Sequence, residues 1–131
     1  FHFRYFKFAI VTVERNGYSD HYVPDGFERD YDQGYDNEIS FLHAYVDVND
    51  KNIFYYVDCS VIQDYGQIET FDNEHTVYER IKVGTADATL GTNNSGGRTR
   101  YVLVWEKDGI SHTIIGKIPR EEILKIAESI S

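Results

Sequence analysis

Cysteine is almost absent: Cys59 is the single one in 131 residues. One thiol excludes an intramolecular disulfide and any zinc centre built from several cysteines. There is no Met, and Leu occurs four times. Two Pro and ten scattered Gly exclude a collagen-like or low-complexity chain. No apolar run approaches the roughly 18 residues of a transmembrane helix. Bases are scarce where acids are dense. Residues 14–79 hold 16 acids and 3 bases, residues 80–131 hold 6 acids and 8 bases, and the whole chain carries −9. An acidic surface repels phosphate backbones, so nucleic acid is excluded as an expected partner. The acidic middle reads as a solvated sheet face.

Aromatics are what the chain has instead. Eleven Tyr and eight Phe bring the aromatic share to 15%, supplying core bulk that Leu usually supplies and arguing against disorder. The length fits one domain, or a short arm plus one domain. The expected division is an N-terminal strand within residues 1–17 and a single α+β domain over 18–131. The first residue is Phe and no signal peptide is visible, so the chain reads as a fragment or a processed form.

The dominant hydrophobic period is two, which predicts strands. Strands are expected at Phe6–Glu14, Tyr18–Val23 and Phe27–Asp32, with Gln33–Asn37 as a reversal. Glu38–Val48 alternates Ile39, Phe41, His43 and Tyr45 against Ser40, Leu42, Ala44 and Val46. Both sets are largely apolar, which predicts an interior strand. It pairs with Ile53–Ile62 across the turn Asn49–Asn52. After a polar stretch at 63–76, strands are expected at Val77–Val83 and Ala86–Leu90, then a flexible loop at Gly91–Thr99. Arg100–Glu106 and Ile110–Ile115 form a second hairpin around Lys107-Asp108-Gly109. One helix closes the chain. Pro119 suits its first position, Glu121 and Glu122 suit its positive end, and Ile123, Ile126, Ala127 and Ile130 make one apolar stripe. The order predicts an α+β domain: a mainly antiparallel twisted sheet of about seven to nine strands carrying one C-terminal helix. The helix stripe is expected to pack near Trp105.

Few residues point to chemistry. Gly91-x4-Gly96-Gly97-Arg98-Thr99 fails as a phosphate loop, because Gly97 occupies the lysine position and a strand follows in place of a helix. Asn93-Asn94-Ser95 matches a glycosylation sequon by pattern. None of His2, His21, His43, His75 and His112 has helical metal-ligand spacing. His43 and His112 read as hydrogen-bonded, half-buried histidines, and Cys59 as a buried structural thiol. The acid run Asp30–Glu38 fails as a calcium loop, since Gly34 falls at the fifth place and Phe41 at the twelfth. It is expected to be a plain acidic hairpin. No catalytic, cofactor-binding or metal-binding residue is therefore assigned. The aromatic excess offers a candidate binding surface in Tyr31, Tyr35, Tyr45, Tyr55 and Tyr65, since Tyr combines an apolar body with a polar tip.

Three stretches resemble a known family. They are Val23-Pro24-Asp25-Gly26-Phe27, Val104-Trp105-Glu106-Lys107-Asp108-Gly109, and the closing strand and helix from Ile115 through Pro119 to Ile130. Over Tyr22–Ile130 the chain resembles the bacterial domain of unknown function numbered four-three-six-seven. Pro119 departs from the capping Ser often found there. The resemblance implies a domain following a single transmembrane helix in Gram-positive proteins similar to anti-sigma factors or surface lipoproteins. It implies an extracytoplasmic location, with residues 1–17 close to the tether and membrane contact only through a missing N-terminal anchor. It carries no catalytic residue.

The expected function is thus a non-catalytic sensory or binding domain, with no cofactor, whose partner is a protein or a cell-envelope ligand. Two alternatives stand beside it. One is a small hydrolase or transferase whose site assembles from His43, Asp58, His75 and His112. The other is a structural interaction module acting through sheet edges or a Tyr-rich face.

Overall fold

The computed structural model describes residues 21–36, 40–61 and 75–130. The strand expected at Phe6–Glu14 and nearly all of the polar stretch at 63–76 lie outside them. Seven strands follow in order: β1 Phe27–Asp36, β2 Ser40–Asp47, β3 Phe54–Val61, β4 Thr76–Val83, β5 Ala86–Asn93, β6 Arg100–Lys107 and β7 Ile110–Gly116. The helix α1 spans Arg120–Ile130. The strands form one antiparallel sheet in the order β1-β2-β3-β7-β6-β5-β4. The fold is α+β, as its sequence predicts.

Register determines what the two faces carry. Phe41 stands opposite Cys59, Cys59 opposite His112, and His112 opposite Trp105. Directly opposed residues share a face, so this row and the parallel row through Tyr45, Tyr55 and Gly116 lie on one side. The helix packs on that side against β4, β6 and β7. Its stripe is the expected one: Ile123, Ile126 and Ala127 are buried in one core with Trp105, Leu103, Ile114 and Val83, and Ile130 packs against its rim. Each fully buried side chain of this kind contributes about 1.5–3 kcal/mol.

Polar ties hold the helix in place. Glu128 accepts a hydrogen bond from the Gly84 amide (3.3 Å) and Arg120 meets Glu79 (3.1 Å). Tyr22 binds the helix twice: its amide donates to Ser129 Oγ (2.8 Å) and its hydroxyl to Glu122 Oε1 (2.7 Å). The next residue back, His21, sets its ring edge-on to Tyr45 at 5.2 Å. The segment at 21–24 therefore joins the helix to the β1–β3 half of the sheet. There Tyr45 and Tyr55 stack at 4.9 Å with Phe27 tilted beside them. No helix among the described residues is long and apolar enough to cross a membrane.

The structure corrects several local expectations. His21–Pro24 carry no strand. β1 does not end at Asp32 but continues to Asp36, because the polar run inserts as a bulge instead of reversing the chain. β5 runs on to Asn93, so Gly91, Thr92 and Asn93 belong to the sheet and not to a loop. Asn93 is buried, with its amide donating to Thr76 Oγ1 (3.0 Å) and its oxygen accepting from the Ser95 amide and hydroxyl. The sequon pattern is thus a strand end whose side chain is already engaged. Pro119 lies just before the helix, its carbonyl accepting from the Glu122 and Ile123 amides, which is the position of a cap. The β6–β7 hairpin is as expected. Asp108 and Gly109 take φ of 54° and 79°, the two-residue turn whose twist matches its strands.

Candidate binding surface at the first strand

Among the described strands, the most elaborated part of the sheet is β1, at one end of their order. Asp30 pairs with Ala44 and Gly34 pairs with His43, so Tyr31, Asp32 and Gln33 bulge out with no partner opposite. Side chains fix the bulge. Asp30 accepts the Asp32 amide on one oxygen (3.0 Å) and the Gln33 Nε2 on the other (2.8 Å). Those bonds hold the Asp30 carboxyl below the usual carboxylate range. Tyr56, two strands away, donates its hydroxyl to Gln33 Oε1 (3.2 Å). Gly34 returns the chain to the ladder at φ +101°, where a Cβ would be driven into the Leu42 carbonyl. Bulges of this kind re-aim side chains and cluster near functional sites.

The bulge displays Tyr31, and Tyr35 follows it where the strand rejoins the ladder. Tyr31 is 80% exposed and Tyr35 50%. The Arg29 guanidinium lies over the Tyr31 ring at 4.6 Å. Arg29 stands opposite Tyr45, and so shares the helix-bearing face, whereas Tyr35 stands opposite Leu42 on the other. The expected five-tyrosine surface is therefore corrected. Tyr45 and Tyr55 are 8% and 0% exposed and belong to the core. Strand alternation turns both toward the helix side, where stacking removes them from water. Burial pushes both phenols' pKa values up. Tyr65 lies outside the described residues. What remains is Tyr31 on a fixed bulge and Tyr35 just beyond it.

Beside the bulge sits a cluster of titratable groups. His43 Nε2 lies 3.5 Å from Asp36 Oδ2. Burial, and next the nearby Arg29 charge, push the His43 pKa down, while Asp36 pulls it up. The balance favours the neutral imidazole at His43. Nothing in the sequence pattern singled out Arg29. The available signal was its rarity, as one of three bases over residues 14–79.

The residues weighed for catalysis do not assemble. His43 and His112 are both buried on the helix side, but on β2 and β7, with β3 between them. Asp58 stands opposite Leu42 and Thr113 on the other face, where burial raises its pKa to about 6. His75 is exposed, just before β4. Burial lowers the His112 pKa to about 4, and its ring stacks on Trp105 at 5.0 Å. Cys59 is fully buried. Among the described residues no three His, Cys, Asp or Glu side chains gather into a group able to hold a metal ion.

Neither the curated proteins nor the solved structures compared with the chain match it. The family described as "Domain of unknown function (DUF4367)" matches residues 17–130. That span covers all seven strands, the β1 bulge and the closing helix, and the chain belongs to this family.

Proposed function

We propose that this is a non-catalytic sensory or binding domain, held outside the cytoplasm by a membrane anchor in a bacterial regulator similar to anti-sigma factors. The observation that carries the binding role is the β1 bulge. Three hydrogen-bonding side chains, Asp30, Gln33 and Tyr56, and an obligatory glycine at Gly34 fix the bulge that holds Tyr31 out in water, and Tyr35 stands exposed where the strand rejoins the ladder. Loss of those contacts to solvent offers no folding advantage, whereas exposed Tyr is enriched where proteins meet partners. The location rests on family membership. The scattering of His43, Asp58, His75 and His112 gives no support to an assembled hydrolase or transferase site.

The test uses the full-length gene product in cells of its source. External protease applied to intact cells should remove the domain, and the domain should fractionate with membranes. Protection in intact cells together with a soluble cytosolic fraction would sink the location. A photo-crosslinking residue at Tyr31 should capture a partner that Tyr35→Ala weakens. Equal capture from an exposed control position such as Val77 would remove the binding role.

A further inference from the structure

Arg29 is one of three bases among 16 acids over residues 14–79, yet no carboxylate among the described residues forms an ion pair with it. Its half-buried side chain keeps Nε wholly out of water and without a hydrogen-bond acceptor. Its neighbours in sequence do not answer it. Glu28 and Asp30 stand opposite Val46 and Ala44, on the other face, and both Asp30 oxygens are taken by the bulge. Stacking on Tyr31 at 4.6 Å occupies only the flat side of the guanidinium. Its N–H groups lie in the plane and stay available to an acceptor. A guanidinium keeps its charge at any ordinary pH and carries five donors.

The groups around it add to a positive or donor-rich setting. His43 Nε2 is buried and makes no hydrogen bond, at 3.5 Å from Asp36. Arg29 and His21 both act electrostatically on His43, and Arg29 and Tyr31 act on the Tyr45 phenol. Among the described residues Asp36 is the carboxylate that faces this cluster, and it lies 3.5 Å from His43 Nε2. We propose that Arg29, with His43 beside it, is the anchor of an oxyanion-binding site that takes the carboxylate or phosphate group of a ligand. The oxyanion would accept from the in-plane guanidinium edge, a pairing that is short and directional when bidentate. Its charge would also favour the protonated form of His43, so binding and His43 protonation would be coupled. The site goes beyond the proposed function and does not depend on where the domain resides.

The experiment is an NMR titration of the domain with inorganic phosphate and, separately, acetate at constant ionic strength. The backbone amides near 29–31 and 43–45 and the His43 ring are followed. Saturable shifts confined to those residues are expected with at least one anion, together with a rise in the His43 pKa. A response to phosphate alone assigns a tetrahedral ligand group, and to acetate alone a carboxylate. Arg29→Gln should weaken binding by about tenfold or more, since it removes the charge-assisted bonds, and Arg29→Lys should retain part of it. Lys51→Gln, which removes an exposed base of the same acidic half, should bind like the unaltered protein. Absence of localised shifts with either anion up to about 100 mM, weaker than any useful site, overturns the proposal. So does unchanged binding by a folded Arg29→Gln protein. Should that variant not fold, His43→Gln decides: loss of the pH dependence of binding supports the site, and an unchanged pH profile overturns it.

Discussion

Buried His112 and half-buried Asp58 oppose each other in their response to pH. His112 has a pKa near 4 in the folded chain and 6.5 when exposed. The unfolded state therefore binds its proton first as pH falls, and stability drops between 6.5 and 4. Asp58 has a pKa near 6 when folded and 3.8 when exposed. Here the folded state binds the proton first, so stability rises as pH falls from 6 to 3.8. A tenfold change in proton affinity corresponds to about 1.4 kcal/mol, which makes each contribution on the order of 3 kcal/mol. They nearly cancel between pH 6 and 4, with His43 adding a little to the His112 side. Asp58→Asn leaves His112 unopposed. Urea melts of that variant should show a loss of about 3 kcal/mol from pH 6.5 to 4, while the unaltered protein stays nearly flat. A flat variant would contradict the assignment. Neither effect can be read from the sequence, because strand phase shows that His112 alternates with apolar neighbours but not that Trp105 covers it.

At the scale of the element, the helix and the bulge differ in how far local pattern decides them. The helix stripe is written in its own spacing, and the sheet confirms Ile123, Ile126 and Ala127 as its buried face. A helix of 11 residues is marginal in isolation, so its stability comes from docking. Ile126→Ala should cost about 2–5 kcal/mol, the range for a large-to-small change in a packed core. A denaturant midpoint unchanged from that of the original protein would show that the helix is dispensable. The bulge follows the opposite logic. Asp30, Gln33 and Gly34 look like a turn because their types favour turns. The strand continues all the same, since Tyr35 and Asp36 regain the ladder opposite Leu42 and Phe41. Tertiary pairing overrode local propensity, and Gln33 could not have been linked to Tyr56 from sequence.

For the whole molecule, the topology joins distant parts. Among the described strands β3 and β4 follow one another along the chain, yet β7, β6 and β5 lie between them. The β3–β7 ladder, from Tyr55–Gly116 to Val61–Ile110, ties the acidic hairpins of the first half to the more basic meander of the second. One core cluster runs through both, from Phe41 and Tyr45 to Leu90 and Ile126. The two halves should therefore unfold together. Trp105 is the single Trp and lies in the second half. Its fluorescence and the near-ultraviolet dichroism dominated by tyrosine should give coincident melting curves. Separated transitions would show that the halves are independent units.

The sequence alone determined most of the strands, the β2–β3 and β6–β7 hairpins and the helix face, because period-two and period-3.6 patterns are local consequences of which side chains must leave water. It also determined that Cys59 is buried and that family membership extends from the first turn to the last helix. The tertiary structure decided the rest. Which strand lies beside which depends on pairing across many residues, as with β3 and β7. Which tyrosines reach solvent depends on which sheet face the helix covers, so Tyr31 and Tyr35 are exposed while Tyr45 and Tyr55 are stacked in the core. Arg29 was one base among many acids until β1 paired with β2. That pairing sends Glu28 and Asp30 to one face and Arg29 to the other, separating the cation from the acids that adjoin it in the chain.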